Sequence, residues 1–461
     1  MQKVFNEVNS LDKRCYNEFD LSEDLLMEHA ASAIARTLYK RFHKNKSILI
    51  VCGMGNNGAD GIALARLLYK RFDVQLYIPF ELKSSMAKLQ YQRIIKLGIQ
   101  PIEQIAKCDV IVDCLFGSGL SRPLDETSVS LIEQLNAYDS YKIACDIPSG
   151  INHLGQVQSS AFYADETVTM GALKTALFLD EAKEYVGEIS VANLGIQREL
   201  YEIDSSLYCL EKSDLKLPHR NKKNSHKGTY GHLNVVAGCK EGAGIIAAKA
   251  AFGFGAGLVS VISHENLDLP YHIMKTHALT QNCTAIAIGM GLGNYEQKEV
   301  KTILSQDIPM IIDADLFHDE LILEVLEKQV VLTPHPKEFC SLLSLCNVAK
   351  ISIDELQKNR FKYVQAFCQK YPKVVLLLKG ANVIISQNEE LYINPHGGAV
   401  LAKGGSGDVL SGLVASLLAQ NYSAIDAAIH ASLAHAIAAS NYKKNNYSLI
   451  PADLVEEVKK L

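Results

Sequence analysis

The sequence has no stretch of about twenty apolar residues free of charge, which is what a membrane-spanning helix requires. Its most apolar window, residues 245–262, contains Lys249 and several glycines and reads as a buried helix running into a strand. The first fifteen residues, MQKVFNEVNSLDKRC, lack the apolar core of a secretory signal, and none of the eleven cysteines stands in a C-x-x-C pair. An odd number of scattered cysteines argues for thiols kept reduced, so a cytoplasmic protein away from membranes is expected. No long basic run and no basic stripe interleaved with aromatics interrupts the balance of 46 Lys and Arg against 51 Asp and Glu, a net charge of −5. Nucleic acid is therefore not an expected partner. No internal repeat and no low-complexity tract is present, and the absence of G-x-x-x-x-G-K-[ST] excludes a P-loop enzyme.

What is present is length and alternation. A chain of 461 residues exceeds one ordinary hydrophobic core. From Lys46, short apolar runs (SILIVC, DVQLYI, CDVIVDC, YKIACDI) alternate with helical patterns near 59–71, 85–97 and 127–138, preceded by a helix over 23–42 and followed by strands near 167–170 and 188–193. Such alternation predicts an α/β domain with a largely parallel sheet covered on both faces. The pattern breaks into polar, basic sequence and restarts with HLNVVAG, LVSVIS, AIAIG, PMIIDAD, QVVLTPH, a helix over 354–370, KVVLLLKG, NVIIS and ELYIN. Two tandem α/β domains are expected, over residues 1–206 and 226–461, joined by a linker at 207–225.

In the first domain, GMGNNGADG follows a strand and opens a helix. Gly53, Gly55 and Gly58 satisfy G-x-G-x-x-G, and Glu81, 23 positions after Gly58, could serve as the acid that receives a ribose hydroxyl. Yet Asn56, Asn57 and Asp60 place polar side chains in the same turn, where a loop built only for pyrophosphate needs small residues. Two further segments end strands at the edge where α/β sheets bind ligands: DCLFGSGLSRP with Asp113, and CDIPSG with Asp146 and Ser149.

GNNGADGIALARLL, DCLFGSGLSR and DIPSGI, in this order, resemble the N-terminal epimerase domain of bifunctional NAD(P)H-hydrate repair enzymes, a Rossmann-like three-layer α/β/α domain. The resemblance implies that Asn56, Asn57, Gly58, Ala59 and Asp60 bind the hydrated nucleotide. It assigns the phosphates to Gly117, Ser118, Gly119, Leu120, Ser121, Arg122 and Pro123, and the reacting ring to Asp146. Asn57, Asp113 and Ser149 would ligate a potassium ion, a hard cation suited to oxygen ligands. Ala59 stands where the family usually has glycine.

The second domain raises its own question in LAKGGSGDVLSG, residues 401–412, where a glycine turn becomes a helix beside Asp408. A helix start exposes unpaired N–H groups and the positive end of the helix dipole, so the turn favours an anion. Asp408 could merely cap the helix. HKGTYGH, GAGIIAAKAAFGFGAGL, GMGLG, IIDAD, TPHPKEF, LKGANVII and GGSGDVLSG together resemble the matching dehydratase, a ribokinase-like α/β domain. That resemblance places Ala243, Gly291, Gly293, His335 and Asp408 around the hydrate. It places Lys379, Gly380, Ala381, Asn382, Val383 and Gly407 around the adenine nucleotide.

By this reading Asp408 takes a proton from the C6 hydroxyl of the hydrate while the glycine turn steadies the moving phosphoryl group. Phosphate then leaves where hydroxide could not. The implied activity is epimerisation of R and S NADHX and NADPHX, coupled to dehydration of the S form at the expense of ADP, giving AMP and phosphate. The implied cofactors are K+ in the first domain and Mg2+ in the second, in a homo-oligomer. Asp313 and Asp315 either hold magnesium through water or finish a strand. His430 and His435 are assigned to packing. Val383, Ser118 and Ser406 stand where the family has threonine, and Lys403 before the glycines adds a cation. The alternative is a ribokinase-like vitamin kinase carrying a non-catalytic N-terminal binding domain.

Overall fold

The computed structural model describes residues 1–461, which fold as two compact units, Lys3–Ser205 and Ser206–Leu461, the latter together with Met1–Gln2. The expected α/β class holds in both.

In the first unit the strands are β1 (Gln2–Phe5), β2 (Ser47–Cys52), β3 (Asp73–Tyr77), β4 (Val110–Cys114), β5 (Tyr141–Cys145), β6 (Glu166–Met170), β7 (Leu173–Lys174) and β8 (Glu188–Ala192). Six form a parallel sheet in the order β3-β2-β4-β5-β6-β8, while β1 pairs in parallel with β7. The runs SILIVC and VIVDC are buried almost throughout because helices cover both faces, which is why they read as continuous rather than alternating. The helices are α1 (Asn9–Glu18), α2 (Glu23–Arg41), α3 (Asn56–Leu68), α4 (Ser85–Lys96), α5 (Glu126–Asn136), and two single turns, α6 (Lys183–Val186) and α7 (Arg198–Tyr201). Chain order reverses between β2 and β4, so their following loops diverge and leave a crevice at the carboxyl edge.

In the second unit the strands are β9 (Leu207–Cys209), β10 (His232–Val236), β11 (Leu258–Ile262), β12 (Met274–Thr276), β13 (Ala285–Ile288), β14 (Met310–Ile312), β15 (Val330–Leu332), β16 (Val375–Leu378), β17 (Val383–Gln387) and β18 (Glu390–Asn394). They run β12-β11-β10-β13-β14-β15-β16 in parallel and continue through the antiparallel β17 and β18 to β9. The helices are α8 (Glu241–Gly253), α9 (Gln297–Leu304), α10 (Pro336–Leu345), α11 (Ile353–Lys358), α12 (Arg360–Lys370), α13 (Ser406–Ala419), α14 (Ala424–Asn441) and α15 (Pro451–Val458). Apolar residues of α8, α13, α14 and α15 pack with the sheet into one core. The reversal here lies between β10 and β13.

Two expectations need correction. The segment read as a linker at 207–225 opens with β9, whose Leu207, Tyr208 and Cys209 pair with Leu391, Tyr392 and Ile393. Three residues are too few to show a period, so the strand was hidden. The helix expected over 354–370 is two helices broken at Asn359, whose φ of −137° and ψ of 36° leave the helical region. The break turns Arg360 inward, where Nη2 donates to the Lys379 carbonyl at 3.1 Å.

Candidate active sites at the two sheet edges

The first site lies in the crevice between β2 and β4. Gly53 brings the two loops together at backbone distance and Gly58 lets its own loop fold tightly: a Cβ on Gly53 would lie 1.8 Å from the Leu115 carbonyl oxygen, and one on Gly58 would lie 1.9 Å from that of Gly53. The resulting cavity, of about 510 Å³, is lined by Asn56, Asn57, Asp60, Gly117, Ser118, Gly119, Leu120, Ser121, Arg122 and Asp146 among the expected residues. Gly58, Ala59 and Pro123 are not on its wall. Ala59 is fully buried in the core behind the loop, so its methyl group faces away from the cavity.

Asp146 follows β5 in the left-handed backbone region, with φ 71°. Its Oδ2 accepts from Ser118 N at 3.1 Å, and its Oδ1 accepts from Met170 N at 3.2 Å and pairs with Lys174 Nζ at 2.7 Å. Burial pushes this carboxyl up, but the Lys174 ammonium and the two N–H donors outweigh it and hold Asp146 below its ordinary value. Asp60 is opposite in character: burial, then the charges of Asp146 and Asp12, push it well above the ordinary range. Asp12, also on the cavity wall, accepts from the Tyr201 hydroxyl at 2.8 Å and is likewise raised, chiefly by burial. One cavity thus holds a carboxylate pushed down by a buried cation beside carboxyls pushed up by burial, an arrangement suited to acid and base work.

Asp113 and Ser149 lie beneath this cavity. Asp113 Oδ1 accepts from Ser149 Oγ at 2.7 Å, and Oδ2 accepts from Ser149 N at 2.8 Å. Burial pushes the Asp113 carboxyl up to about 6 against these bonds, since no cationic side chain offsets it. Asn57 Nδ2 is buried without a hydrogen-bond partner. A buried carboxylate without a counter-charge, together with an unsatisfied buried amide at the start of α3 whose two ends can exchange, fits a monovalent cation held by oxygens.

Lys174, Asp12 and the Val8–Asn9 turn were missed in the sequence. Lys174 had one available signal, a lone lysine inside the apolar GALKTALF, which must find a partner if buried. Asp12 had none, because it stands at no strand end and in no recognised motif.

In the second unit the expected residues gather at the carboxyl ends of β10, β13, β14, β15 and β16 and at the start of α13. Gly405 begins α13 with φ 86°, and a Cβ there would lie 2.5 Å from Pro451 Cγ. Asp408 stands in the first turn and makes no capping hydrogen bond, so its carboxylate is left for another role. Burial raises it above its ordinary value, the Asp313 charge adds to this, and Lys379 opposes it.

Lys379 follows β16, pairs with Asp313 Oδ1 at 2.6 Å, and reaches within 3.4 Å of where a Cβ on Gly407 would sit. Asp313 Oδ2 accepts from Ser411 Oγ at 2.7 Å, one helical turn after Gly407. Asp315 Oδ2 accepts from Gly293 N at 2.8 Å, tying the GMGLG loop to β14. Gly291 lies against Ala243, with 3.0 Å between a Cβ built on it and Ala243 Cβ. Asn382 is buried, while Gly380 and Ala381 are exposed beside Val383 at the start of β17.

His335 caps α10. Glu338 N donates to its Nδ1 at 3.3 Å, so the ring proton is on Nε2, which faces Glu338 Oε1 at 3.1 Å. Both ring nitrogens are engaged inside the loop. His435 does more than pack: its Nε2 donates to the Ser406 carbonyl at 3.0 Å and so supports the glycine turn.

Residues 233–460 match the family described as NAD(P)H-hydrate dehydratase, and residues 23–176 match the YjeF-related protein N-terminus. A bifunctional NAD(P)H-hydrate repair enzyme of Helicobacter pylori is 45% identical, with 100% of each chain covered. One from Escherichia coli is 30% identical over 90% of this chain and 84% of its own. The crystal structure of an ADP/ATP-dependent NAD(P)H-hydrate dehydratase from Bacillus subtilis, co-crystallised with ATP and Mg2+, is 29% identical over 53% of this chain and 92% of its own, with a TM-score of 0.46. With two sites on two α/β units and a full-length relative at this identity, the chain belongs to the family of bifunctional NAD(P)H-hydrate repair enzymes.

Proposed function

We propose that the chain restores NADH and NADPH from their hydrates in two steps. The first unit interconverts the R and S forms, and the second dehydrates the S form while consuming ADP, giving AMP and phosphate. The observation that carries the second step is Asp408: a half-buried carboxylate without a hydrogen-bond partner, at the start of α13 and near Lys379.

In that step Asp408 accepts the proton of the C6 hydroxyl, whose oxygen attacks the terminal phosphorus of the donor. A carboxylate raised by burial is the stronger base for this transfer. Lys379 and the N–H groups of the turn face the charge that moves onto the phosphoryl oxygens. The C6–O bond of the phosphorylated adduct then breaks as the ring nitrogen's electron pair forms the C=N bond. Loss of a ring proton completes the dihydronicotinamide. Asp313 is committed to Lys379 and Ser411, and Asp315 to Gly293, so Mg2+ in this site would be carried mainly by the nucleotide's phosphates and water.

In the first unit, Asp60 holds a proton that can go to the departing C6 hydroxyl, and Asp146, kept ionised by Lys174, takes one from the water that returns on the other face. Asn57, Asp113 and Ser149 would hold K+, which supplies fixed positive charge beneath the loop.

The test is incubation of the purified chain with S-NADHX and either ADP or ATP, following absorbance of the restored dihydronicotinamide. Turnover with ADP is expected. Phosphorylation of a vitamin alcohol without restoration of NADH would overturn the reading. For the ion, epimerisation is compared in K+ and in choline buffer, and equal rates would remove the cation's role.

A further inference from the structure

A second groove, of about 560 Å³, opens at the carboxyl end of β3 and is lined by Ile78, Glu81, Leu82, Lys88, Tyr91 and Pro101, with one further residue. The segment between its residues and α4 is tied to the first cavity. Lys83 N and Ser84 N both donate to the carbonyl of Met54, which lines that cavity, at 2.9 and 3.1 Å. The Phe80 ring lies 6.3 Å from that of Phe116, another lining residue. The segment that carries Glu81 is thus fixed to the rim of the site that would hold the reacting ring.

The sheet order gives the two openings their relation. Asp146 follows β5, the Gly117 loop follows β4, the Gly53 loop follows β2 and Glu81 follows β3, and these four strands are consecutive neighbours. Three parallel spacings separate the ends, about 14 Å. A dinucleotide laid along this edge, with its dihydropyridine ring at Asp146 and its pyrophosphate over the two glycine loops, brings its second nucleoside to β3. In dinucleotide-binding sheets, an acidic residue following the strand next to the glycine-loop strand receives the ribose hydroxyls. Glu81 stands at that place. Tyr91 and Pro101 offer flat apolar surface for the base.

We propose that this groove is the adenosine subsite of the epimerase unit, with Glu81 accepting the 2′- and 3′-hydroxyls of the adenosine ribose, so that NADHX is preferred to NADPHX. A 2′-phosphate removes one of those hydroxyls and sets a dianion against the carboxylate. Lys88, on α4, lies on the same groove, and the ratio of NADHX to NADPHX turnover reads which of the two charges governs the ribose.

This rests on the first unit being the epimerase, and the test keeps the two ideas apart. Interconversion of the R and S hydrates is followed chromatographically on the full chain without adenine nucleotide, using NADHX, NADPHX and the hydrate of the mononucleotide NMNH. No interconversion of any of the three by the native chain defeats the epimerase reading itself. If the subsite is real, E81Q loses about tenfold in kcat/KM on NADHX, the loss of a hydrogen bond to a charged group, and is unchanged on the mononucleotide. E81K brings the NADHX to NADPHX ratio to one or reverses it. Equal losses on NADHX and the mononucleotide, or a native ratio in both variants, would overturn the proposal. Glu81 is exposed, so neither variant threatens the fold.

Discussion

Lys174 Nζ sits 2.7 Å from Asp146 Oδ1, with the lysine 2% and the aspartate 7% exposed. The same ammonium also donates to Thr169 Oγ1 at 2.8 Å and to the Met170 carbonyl at 2.9 Å, so each of its hydrogens has an acceptor. The pair holds Asp146 charged in a place that would otherwise neutralise it.

Replacing Lys174 by methionine therefore strands a buried carboxylate. A loss of about 3–5 kcal/mol in unfolding free energy is expected, measured by denaturant titration at neutral pH. The double variant K174M/D146N should recover most of that loss. Because Asp146 is depressed in the folded state, the stabilisation is present above the ordinary carboxylate value of 3.8 and fades as pH falls through the lower folded value. The gap between native and K174M should accordingly close in acid, and a constant gap would refute the pairing.

Asp408→Asn removes the proposed base and little else, since the side chain bonds to no other group of the chain. Dehydration of the S hydrate should slow by about a hundredfold to ten-thousandfold. Adenine-nucleotide affinity measured by calorimetry, and the epimerase rate, should stay within threefold. A variant at the native dehydration rate would leave the second site without its base.

Glu338 and His435 should give the second unit opposing responses to acid. Burial pushes Glu338 up to about 7 from 4.5, so the folded state binds the extra proton and stability falls as pH rises from about 4.5 through about 7. Burial pushes His435 down to about 4 from 6.5, so its contribution is lost as pH falls from 6.5 through about 4. Thermal midpoints between pH 4 and 7 should slope differently in E338Q and H435Q, each variant exposing the other group's trend. Parallel slopes would count against both assignments.

H435Q has a second expected effect. His435 holds the Ser406 carbonyl at the mouth of α13, so its loss should loosen the turn that faces the phosphoryl group. A several-fold fall in dehydratase kcat with little change in hydrate KM is expected, and a change confined to KM would place the histidine elsewhere.

Most of the strands could be read from the sequence because the central strands of both sheets are parallel and buried: SILIVC, VIVDC and VVLLL announce themselves as apolar runs. The glycine loops and the aspartates at strand ends could be read because dihedral and steric demands restrict which residues stand there. What stayed hidden depended on partners distant in sequence. Lys174 acquires meaning only when β6 and β7 fold it against Asp146, and β9 only when β18 lies beside it. The helix break before Arg360 follows from a bond to Lys379, nineteen positions on, that no local propensity encodes.

The two kinds of glycine in the loops after β2 and β4 have different fates under substitution. At Gly53 and Gly58 a methyl group meets peptide oxygen at once, whereas at Gly55 and Gly119 it meets nothing within 4 Å. Alanine at the former pair should cost the empty protein its fold. Alanine at the latter pair should pass unnoticed until substrate arrives, so a scan of melting temperatures with and without the hydrate would separate the glycines that build the vessel from those that leave room for its contents.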